Sequence, residues 1–120
     1  MDKVRSFSEL ATYKRAFDFQ QSVFGLTKWW PREETYALTD QIRRSSRSIG
    51  ANLAEAWAKR RYPAHFLSKL TDADGEIQET AHWLESANAC GYLTPEQYVA
   101  CSAKLNDTRK LLGAMIAQYP

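Results

Sequence analysis

The second quarter of the chain carries a line of polar side chains at helical spacing. Gln41, Arg44, Ser48, Asn52 and Glu55 follow one another at steps of three and four residues, so on a helix they share one side. Each such group beside a hydrophobic core needs a hydrogen-bond partner, because an unsatisfied buried polar group costs about 1–3 kcal/mol. The line therefore either closes an internal network or contacts a partner outside the domain.

Acidic residues later in the sequence are candidate partners for this line. Glu76 and Glu79, with Asp72 nearby, could form a carboxylate cluster capable of acid–base or metal chemistry. They could equally neutralise the charge of Arg44, which we favour, since a polar line among helices requires such partners. We interpret the following residues as an internal polar network that joins two helices: Gln41, Arg44, Ser48, Asn52, Glu55 and Glu79.

The motifs that would indicate catalysis are incomplete. Glu79 and His82 match once the Glu-x-x-His element that di-metal helical bundles use twice, and His65 has no glutamate three residues before it. Neither cysteine has a histidine at helical spacing, and the sequence contains no Gly-x-Ser-x-Gly, Walker or Gly-x-Gly-x-x-Gly motif. We therefore expect no catalytic residues, no metal site and no cofactor.

Basic residues are concentrated on the same segment as the polar line. Arginine suits bidentate contacts with phosphate, and neighbouring aromatic rings (Trp30, Trp57, Tyr62) would offer stacking faces to a single-stranded nucleic acid. Cations at a helix C-terminus also complement the helix dipole, and the rings could instead serve a subunit interface. The residues alone leave both interpretations open. The candidate nucleic-acid contacts are Arg43, Arg47, Lys59, Arg60 and Arg61.

Length and composition indicate one globular domain spanning residues 1–120. The chain is 44% hydrophobic and 25% charged, which suits a single core. Its 12% aromatic content, with four tryptophans, exceeds what one small core readily covers, so we expect self-association. Residues 1–62 carry 12 Lys and Arg against 7 Asp and Glu, whereas residues 63–120 carry 4 against 7. The basic character therefore belongs to the first half.

The sequence also suggests a compartment. No apolar run approaches the roughly 18 residues of a membrane span, and the first residues lack the apolar region of a signal peptide. We therefore expect a cytoplasmic protein. Cys90 and Cys101 have small or apolar neighbours and no metal-type spacing, so both are predicted to be buried free thiols.

Hydrophobic periodicity predicts four helices. The first runs from about Ser8 to Leu26, the second from Glu33 to Arg60, and the third from Ala64 to a glycine cap at Gly91. The fourth opens at Thr94-Pro95-Glu96-Gln97, which combines an N-cap hydroxyl, a proline at the first position and a glutamine at the third. Short linkers between long helices favour an antiparallel up-down-up-down four-helix bundle.

Apolar and aromatic residues recur along each predicted helix, and in the second and third helices they share one face. The first helix continues through Leu10, Tyr13, Phe17 and Phe24. The second contains Leu38, Ile42, Ser45, Ile49, Leu53 and Ala56. The third contains Phe66, Leu70, Ala73, Ile77, Ala81 and Leu84, and the fourth contains Tyr98, Cys101, Leu105, Thr108, Leu112, Met115 and Tyr119.

These residues together resemble a known family, the bacterial proteins encoded within intervening sequences of 23S ribosomal RNA genes. The resemblance extends over almost the whole chain and departs from the family pattern at Ala56, where glycine is usual, and at Glu76, where serine is usual. The residues that carry it are Tyr13-Lys14, Ala16, Pro31, Glu34, Tyr36, Leu38, Gln41-Ile42-Arg43-Arg44, Ser48-Ile49, Asn52, Ala54-Glu55, Ala73, Gly75, Glu79 and Gly91-Tyr92-Leu93.

The resemblance implies a function without chemistry. The family is similar to the accessory variability protein of diversity-generating retroelements, a basic bundle that forms a pentameric barrel and assists a reverse transcriptase. By that resemblance the chain is a homopentameric scaffold or binding module for RNA or for a nucleic-acid-handling enzyme. The alternative is a purely structural homo-oligomer without a nucleic-acid ligand.

Overall fold

The regular structure of the chain is helical. The computed structural model describes residues 4–118, and within them four long helices occur and no strand. These are α1 (Ala11–Thr27), α2 (Asp40–Ala58), α3 (Pro63–Ala89) and α4 (Pro95–Ala117). A 3-10 turn at Phe7–Glu9 precedes α1, and a 3-10 turn at Arg32–Glu34 followed by a π-helical turn at Thr35–Thr39 leads into α2. The predicted all-α class with four helices is confirmed.

One hydrophobic core holds the helices together. Helix α2 packs against α1 and α3, and α4 packs against the same two neighbours, so every helix contacts two others. The result is an elongated body measuring 44 × 25 × 23 Å. The largest fully buried apolar side chains come from all four helices: Phe19, Val23, Ile42, Ile49, Leu53, Leu70, Ile77 and Leu112.

The predicted core stripe of the second helix is confirmed along its whole length. All six residues from Leu38 to Ala56 are buried, and none is more than 4% exposed. The buried hydroxyl of Ser45 accepts a hydrogen bond of 2.8 Å from Thr80 Oγ1 of α3. This pair satisfies both hydroxyls where α2 meets α3 and avoids the cost of an unpaired polar group.

The residues that mark the first helix in the sequence are not the ones it buries. Leu10, Tyr13 and Phe24 are only partly buried and Phe17 is 45% exposed. Helix α1 instead turns a stripe of partly small and polar residues inward, which carries a weaker hydrophobic signal than the aromatic one beside it. The residues of that stripe are Thr12, Ala16, Phe19, Val23 and Thr27.

The second helix begins later than predicted. Residues Arg32–Glu34 form a 3-10 turn, which is tighter than an α-helix, and Thr35–Thr39 form a π-helical turn, which is wider. Regular α-helix starts only at Asp40. Tyr92 donates a hydrogen bond of 2.7 Å to the Glu34 carboxylate, and Thr35 Oγ1 donates one of 2.6 Å to the Arg32 carbonyl. These contacts hold the entry to α2 in a path that a continuous helix does not follow.

The last two helices follow the prediction closely. Gly91 has a φ of 79°, the left-handed conformation expected of a C-terminal cap, and the Thr94 hydroxyl and Gln97 side chain form the reciprocal capping box. Both cysteines are free and Cys101 is buried, but Cys90 is exposed because it lies at the C-terminus of α3. Tyr119 lies outside the described residues.

Candidate nucleic-acid interface

Three cationic side chains surround one aromatic ring where α1 meets α2. Lys28 Nζ lies 4.7 Å from the centroid of the Phe24 ring, Arg43 Cζ lies 4.8 Å away and Arg47 Cζ lies 5.5 Å away. We call these four residues the Phe24 cluster. A cation over an aromatic ring is stabilised by about 0.5–1 kcal/mol at an exposed site. The ring therefore fixes the position of three positive charges.

The backbone of two helices sets the geometry of the Phe24 cluster. Phe24 and Lys28 are four residues apart at the end of α1, and Arg43 and Arg47 are four residues apart near the start of α2. Arg43 Nε donates a hydrogen bond of 2.8 Å to Thr27 Oγ1, which itself donates one of 3.0 Å to the Phe24 carbonyl. These bonds attach the guanidinium of Arg43 to α1 through Nε, and no residue of the described range 4–118 forms a hydrogen bond with its terminal nitrogens.

The electrostatics of the Phe24 cluster favour an anion. Its three cations lie within 5.5 Å of one centroid, hence within about one Debye length (~10 Å at 0.1 M salt) of one another. Within residues 4–118, the ion pairs engage three other cations, Arg44, Lys69 and Lys104, and leave this group without a carboxylate partner. A phosphate placed among the three charges would relieve their repulsion.

A second basic group follows α2. Lys59–Arg61, here called the basic turn, is exposed, and Arg60 lies with its Cζ 4.2 Å from the Trp57 ring and donates a hydrogen bond of 2.9 Å to the Trp57 carbonyl. Tyr62 follows with 62% of its surface exposed. The basic turn and the Phe24 cluster lie at opposite ends of α2, roughly 20 Å apart at 1.5 Å per residue.

The polar line of α2 lies at the rim of the α2–α3 contact. Arg44 donates to the Glu79 carboxylate and, at 3.4 Å, to Glu76, while Trp83 Nε1 donates to Glu79 at 3.1 Å. The Trp83 and Arg44 hydrogen bonds lower the pKa of Glu79, and the hydrogen bond to Glu79 raises the pKa of Arg44. The Arg44 side chain is 50% exposed, so solvent reaches this group.

The other residues of the line bond elsewhere. Ser48 Oγ donates to the Arg44 carbonyl at 2.8 Å and Asn52 Nδ2 donates to the Ser48 carbonyl at 2.9 Å, both within α2. Gln41 donates to the Tyr36 carbonyl at 3.4 Å, and Glu55 forms an ion pair of 2.7 Å with Lys69 of α3. Of the predicted network, the structure brings together Arg44 and Glu79 and leaves the remaining side chains in separate contacts.

Three carboxylates of α3 lie beside cations. Glu76 and Glu79 both face Arg44, and Asp72 lies 3.8 Å from Lys69 Nζ. His82, the other half of the Glu-x-x-His element, is exposed and packs edge-on against Trp83 at 4.8 Å between ring centroids. Among residues 4–118, no group of three or more His, Cys, Asp or Glu side chains is placed to hold a metal ion.

Sequence reasoning placed Arg43 and Arg47 in the candidate site but missed the residues that organise it. In the sequence Phe24 only marks the extent of the first helix, and Lys28 is not among the predicted contacts, although the two are four residues apart. Trp30, expected to offer a stacking face, is 9% exposed and packs against Tyr92 at 6.1 Å between ring centroids. The signal that could have found the cluster is two pairs of residues at four-residue spacing. One pair is the aromatic Phe24 with Lys28, and the other is Arg43 with Arg47.

Comparison with known proteins identifies relatives that match most of the chain. The family model described as 23S rRNA-intervening sequence protein matches residues 8–114. A crystal structure of a protein of unknown function from the S23 ribosomal protein family of Bacteroides thetaiotaomicron is 33% identical, covers 88% of this chain and 95% of its own, and superposes with a TM-score of 0.80. No curated protein matches. No helix within the described part of the chain could cross a membrane.

Proposed function

Because the chain belongs to the 23S rRNA-intervening sequence protein family, we propose that it is a non-enzymatic RNA-binding module that contacts its ligand through α1 and α2. The observation that carries the proposal is the Phe24 cluster, in which three cations lie around one ring and have no carboxylate partner among residues 4–118. The family is described by a ribosomal RNA element, which makes RNA the first ligand to test.

The proposed assembly is a single-domain, antiparallel bundle that forms a cytoplasmic homopentamer. Contacts across the helix ends support antiparallel neighbours: Arg43 near the start of α2 bonds Thr27 at the end of α1, and Tyr98 of α4 bonds Glu85 near the end of α3. The aromatic ring of Phe17 on α1, which is 45% exposed, supports self-association. The pentameric number comes from the family resemblance.

In this proposal RNA lies along the outer side of α2. Lys28, Arg43 and Arg47 contact phosphates at one end, and the basic turn contacts phosphates at the other. Arg44 has a different role, because its charge is committed to Glu76 and Glu79. The module needs no catalytic residue, since it acts by presenting a surface of fixed charge.

The test is the salt dependence of RNA binding. The double variant Arg43→Gln and Arg47→Gln should weaken binding and lower the slope of log K against log salt by about 1.5, because each lost phosphate contact removes about 0.7–0.9. The matched control is Arg109→Gln with Lys110→Gln, which removes the same charge from exposed positions of α4. Fluorescence anisotropy with labelled RNA at several salt concentrations measures both.

Three outcomes separate the readings. Loss confined to the α2 variant, with the oligomer intact, supports the proposed surface. An equal loss in the control would show that only net charge matters, and would contradict a defined site. Dissociation of the α2 variant into monomers would favour the alternative, a purely structural homo-oligomer whose arginines serve subunit contacts.

A further inference from the structure

Two large aromatic rings stand in solvent beside the two basic groups. Trp29 is 88% exposed and directly follows Lys28 of the Phe24 cluster. Tyr62 is 62% exposed and directly follows the basic turn. Single exposed hydrophobic residues are common on protein surfaces, so the informative feature here is the position of each ring beside a group of cations. Each end of α2 thus pairs cations with an uncovered ring.

The backbone beneath each ring is fixed. The Trp29 N–H donates to the Leu26 carbonyl at 3.2 Å, and the next residue, Trp30, is buried in the core. The Tyr62 N–H donates to the Lys59 carbonyl at 2.9 Å, and its carbonyl accepts a 2.9 Å hydrogen bond from the Phe66 N–H. A ring on an ordered backbone loses little freedom when it stacks, which favours binding.

We propose that the ligand of the α1–α2 surface is a single-stranded segment of RNA, with unpaired bases stacked on Trp29 and Tyr62 and phosphates held by the adjacent cations. This inference rests on the proposed function and specifies its ligand. Bases in a duplex are already stacked on each other and present only their edges, so exposed rings give no advantage with double-stranded RNA. Flat rings beside a basic groove are typical of single-strand binding.

The location of the cations favours RNA over a second protein copy as the covering partner. Both rings directly follow basic residues, and those of the Phe24 cluster lack a carboxylate partner among the described residues. A protein interface would have to bring compensating acids to both ends of α2, whereas a nucleic-acid strand supplies a negative charge at every nucleotide. One strand along α2 meets both groups.

The experiment compares ring variants on two ligands. Binding of an unstructured labelled RNA of about 20 nucleotides, longer than a typical single-strand site, is measured beside an RNA duplex of equal length. Trp29→Ala and Tyr62→Ala should each weaken single-strand binding about tenfold, with the salt slope unchanged, since stacking carries no charge. Trp29→Phe should restore most of the loss. Single-stranded DNA of the same sequence shows whether the 2′-hydroxyl contributes.

Tyr36→Ala is the matched control, because Tyr36 is 82% exposed but belongs to neither basic group and lies close to the acidic pair Glu33 and Glu34. It should leave single-strand binding unchanged. Equal affinity for duplex and single strand, with no effect of the ring variants, would overturn this inference and leave the proposed function standing. Failure of every nucleic acid to bind would overturn both. A Trp29→Ala protein that loses its oligomeric mass would assign the ring to a subunit contact and also overturn the inference.

Discussion

At the scale of single residues, Tyr92 connects the entry of α2 to the linker between α3 and α4. Its phenol donates a hydrogen bond of 2.7 Å to the Glu34 carboxylate, and its ring packs against Trp30. The hydrogen bond to Glu34, together with desolvation, raises the pKa of Tyr92 to about 12 from the ordinary value of 10.0. This contact should therefore respond to alkaline pH.

The sign of that response follows from proton linkage. In the unfolded chain Tyr92 loses its proton near pH 10, whereas in the folded protein it keeps the proton until about pH 12. Between these values the unfolded state binds fewer protons, so stability falls as pH rises. We expect the melting temperature of Tyr92→Phe to lie below that of the native protein up to about pH 10, and the difference to vanish towards pH 12.

Thermal melts followed by circular dichroism from pH 7 to pH 12 would measure this difference. Tyr36→Phe is a suitable control, because that ring is 82% exposed and its hydroxyl makes no hydrogen bond among the described residues. It should follow the native protein at every pH. A Tyr92→Phe difference that stays constant to pH 12 would contradict the proposed role of the Glu34 hydrogen bond.

Contacts of single side chains could be predicted from the sequence where they lie within one helix. They were harder to predict where they depend on how two helices are rotated against each other. The Thr94 capping box is local and was predicted correctly. The Phe24 cluster requires that α1 turn Phe19 and Val23 inward, which places Phe24 at the edge of the core, facing Arg43. Aromatic rings are more hydrophobic than threonine and alanine, so hydrophobicity alone does not indicate which face of α1 is turned toward the core.

At the scale of elements, two glycines inside helices differ in what surrounds them. A Cβ built on Gly75 in α3 meets nothing within 4 Å, whereas one on Gly50 in α2 lies 3.3 Å from Cε1 of the Tyr13 ring. Tyr13 is itself held, since it stacks on Phe17 at 6.0 Å and meets Phe7 edge-on at 4.9 Å. Helix α2 therefore uses glycine for close contact with α1, and α3 does not need it.

Alanine substitutions should separate these two roles. Replacing glycine by alanine inside a helix gains roughly 0.5–1 kcal/mol where there is room. We expect Gly75→Ala to raise the free energy of unfolding by about that amount, and Gly50→Ala to gain less or to lose stability because the Tyr13 ring must move. Urea unfolding of both variants measures the difference. A larger gain in Gly50→Ala than in Gly75→Ala would show that the α1–α2 contact yields easily.

The elements themselves were predicted unevenly for a physical reason. Helices α3 and α4 have proline at their first positions and a clear cap between them, so their limits follow from local chemistry. The segment before α2 is contacted by Tyr92, which is distant in sequence and donates a hydrogen bond to Glu34, and the turns at Arg32–Glu34 and Thr35–Thr39 stand where a helix is predicted. A contact with a residue distant in sequence does not alter the hydrophobic periodicity of the segment it shapes, so the sequence of that segment does not reveal the contact.

At the scale of the whole molecule, the net charge is close to neutral because the two halves of the chain carry charges of opposite sign. The first 62 residues carry an excess of five positive charges and the rest an excess of three negative ones. Part of this opposition is used internally, because Arg44 of α2 pairs with Glu76 and Glu79 of α3. The cations left over, Lys28 and Arg43 among them, give the α1–α2 side its basic character.

An aromatic surface beside α1 is a candidate contact between subunits. Phe7, Tyr13 and Phe17 form an aromatic strip along α1 that ends in the 45%-exposed ring of Phe17. Burying this strip against another copy would favour association by roughly 25 cal/mol per Å² of apolar surface. We expect light scattering to give the mass of five 13.8-kDa chains for the native protein. Phe17→Glu should reduce that mass to one chain, because it places an unpaired charge in the contact.

Val99→Glu provides the matched control for this measurement. Val99 lies on α4, is 66% exposed and is remote in sequence from the strip, so the same new charge there should leave the mass unchanged. Circular dichroism of both variants would establish that the helices remain folded. A native protein that stays a single chain at micromolar concentration would contradict the pentamer. A Phe17→Glu protein that keeps the mass of five chains would show that assembly buries a different surface. The aromatic strip on α1 would then remain exposed to solvent in the pentamer.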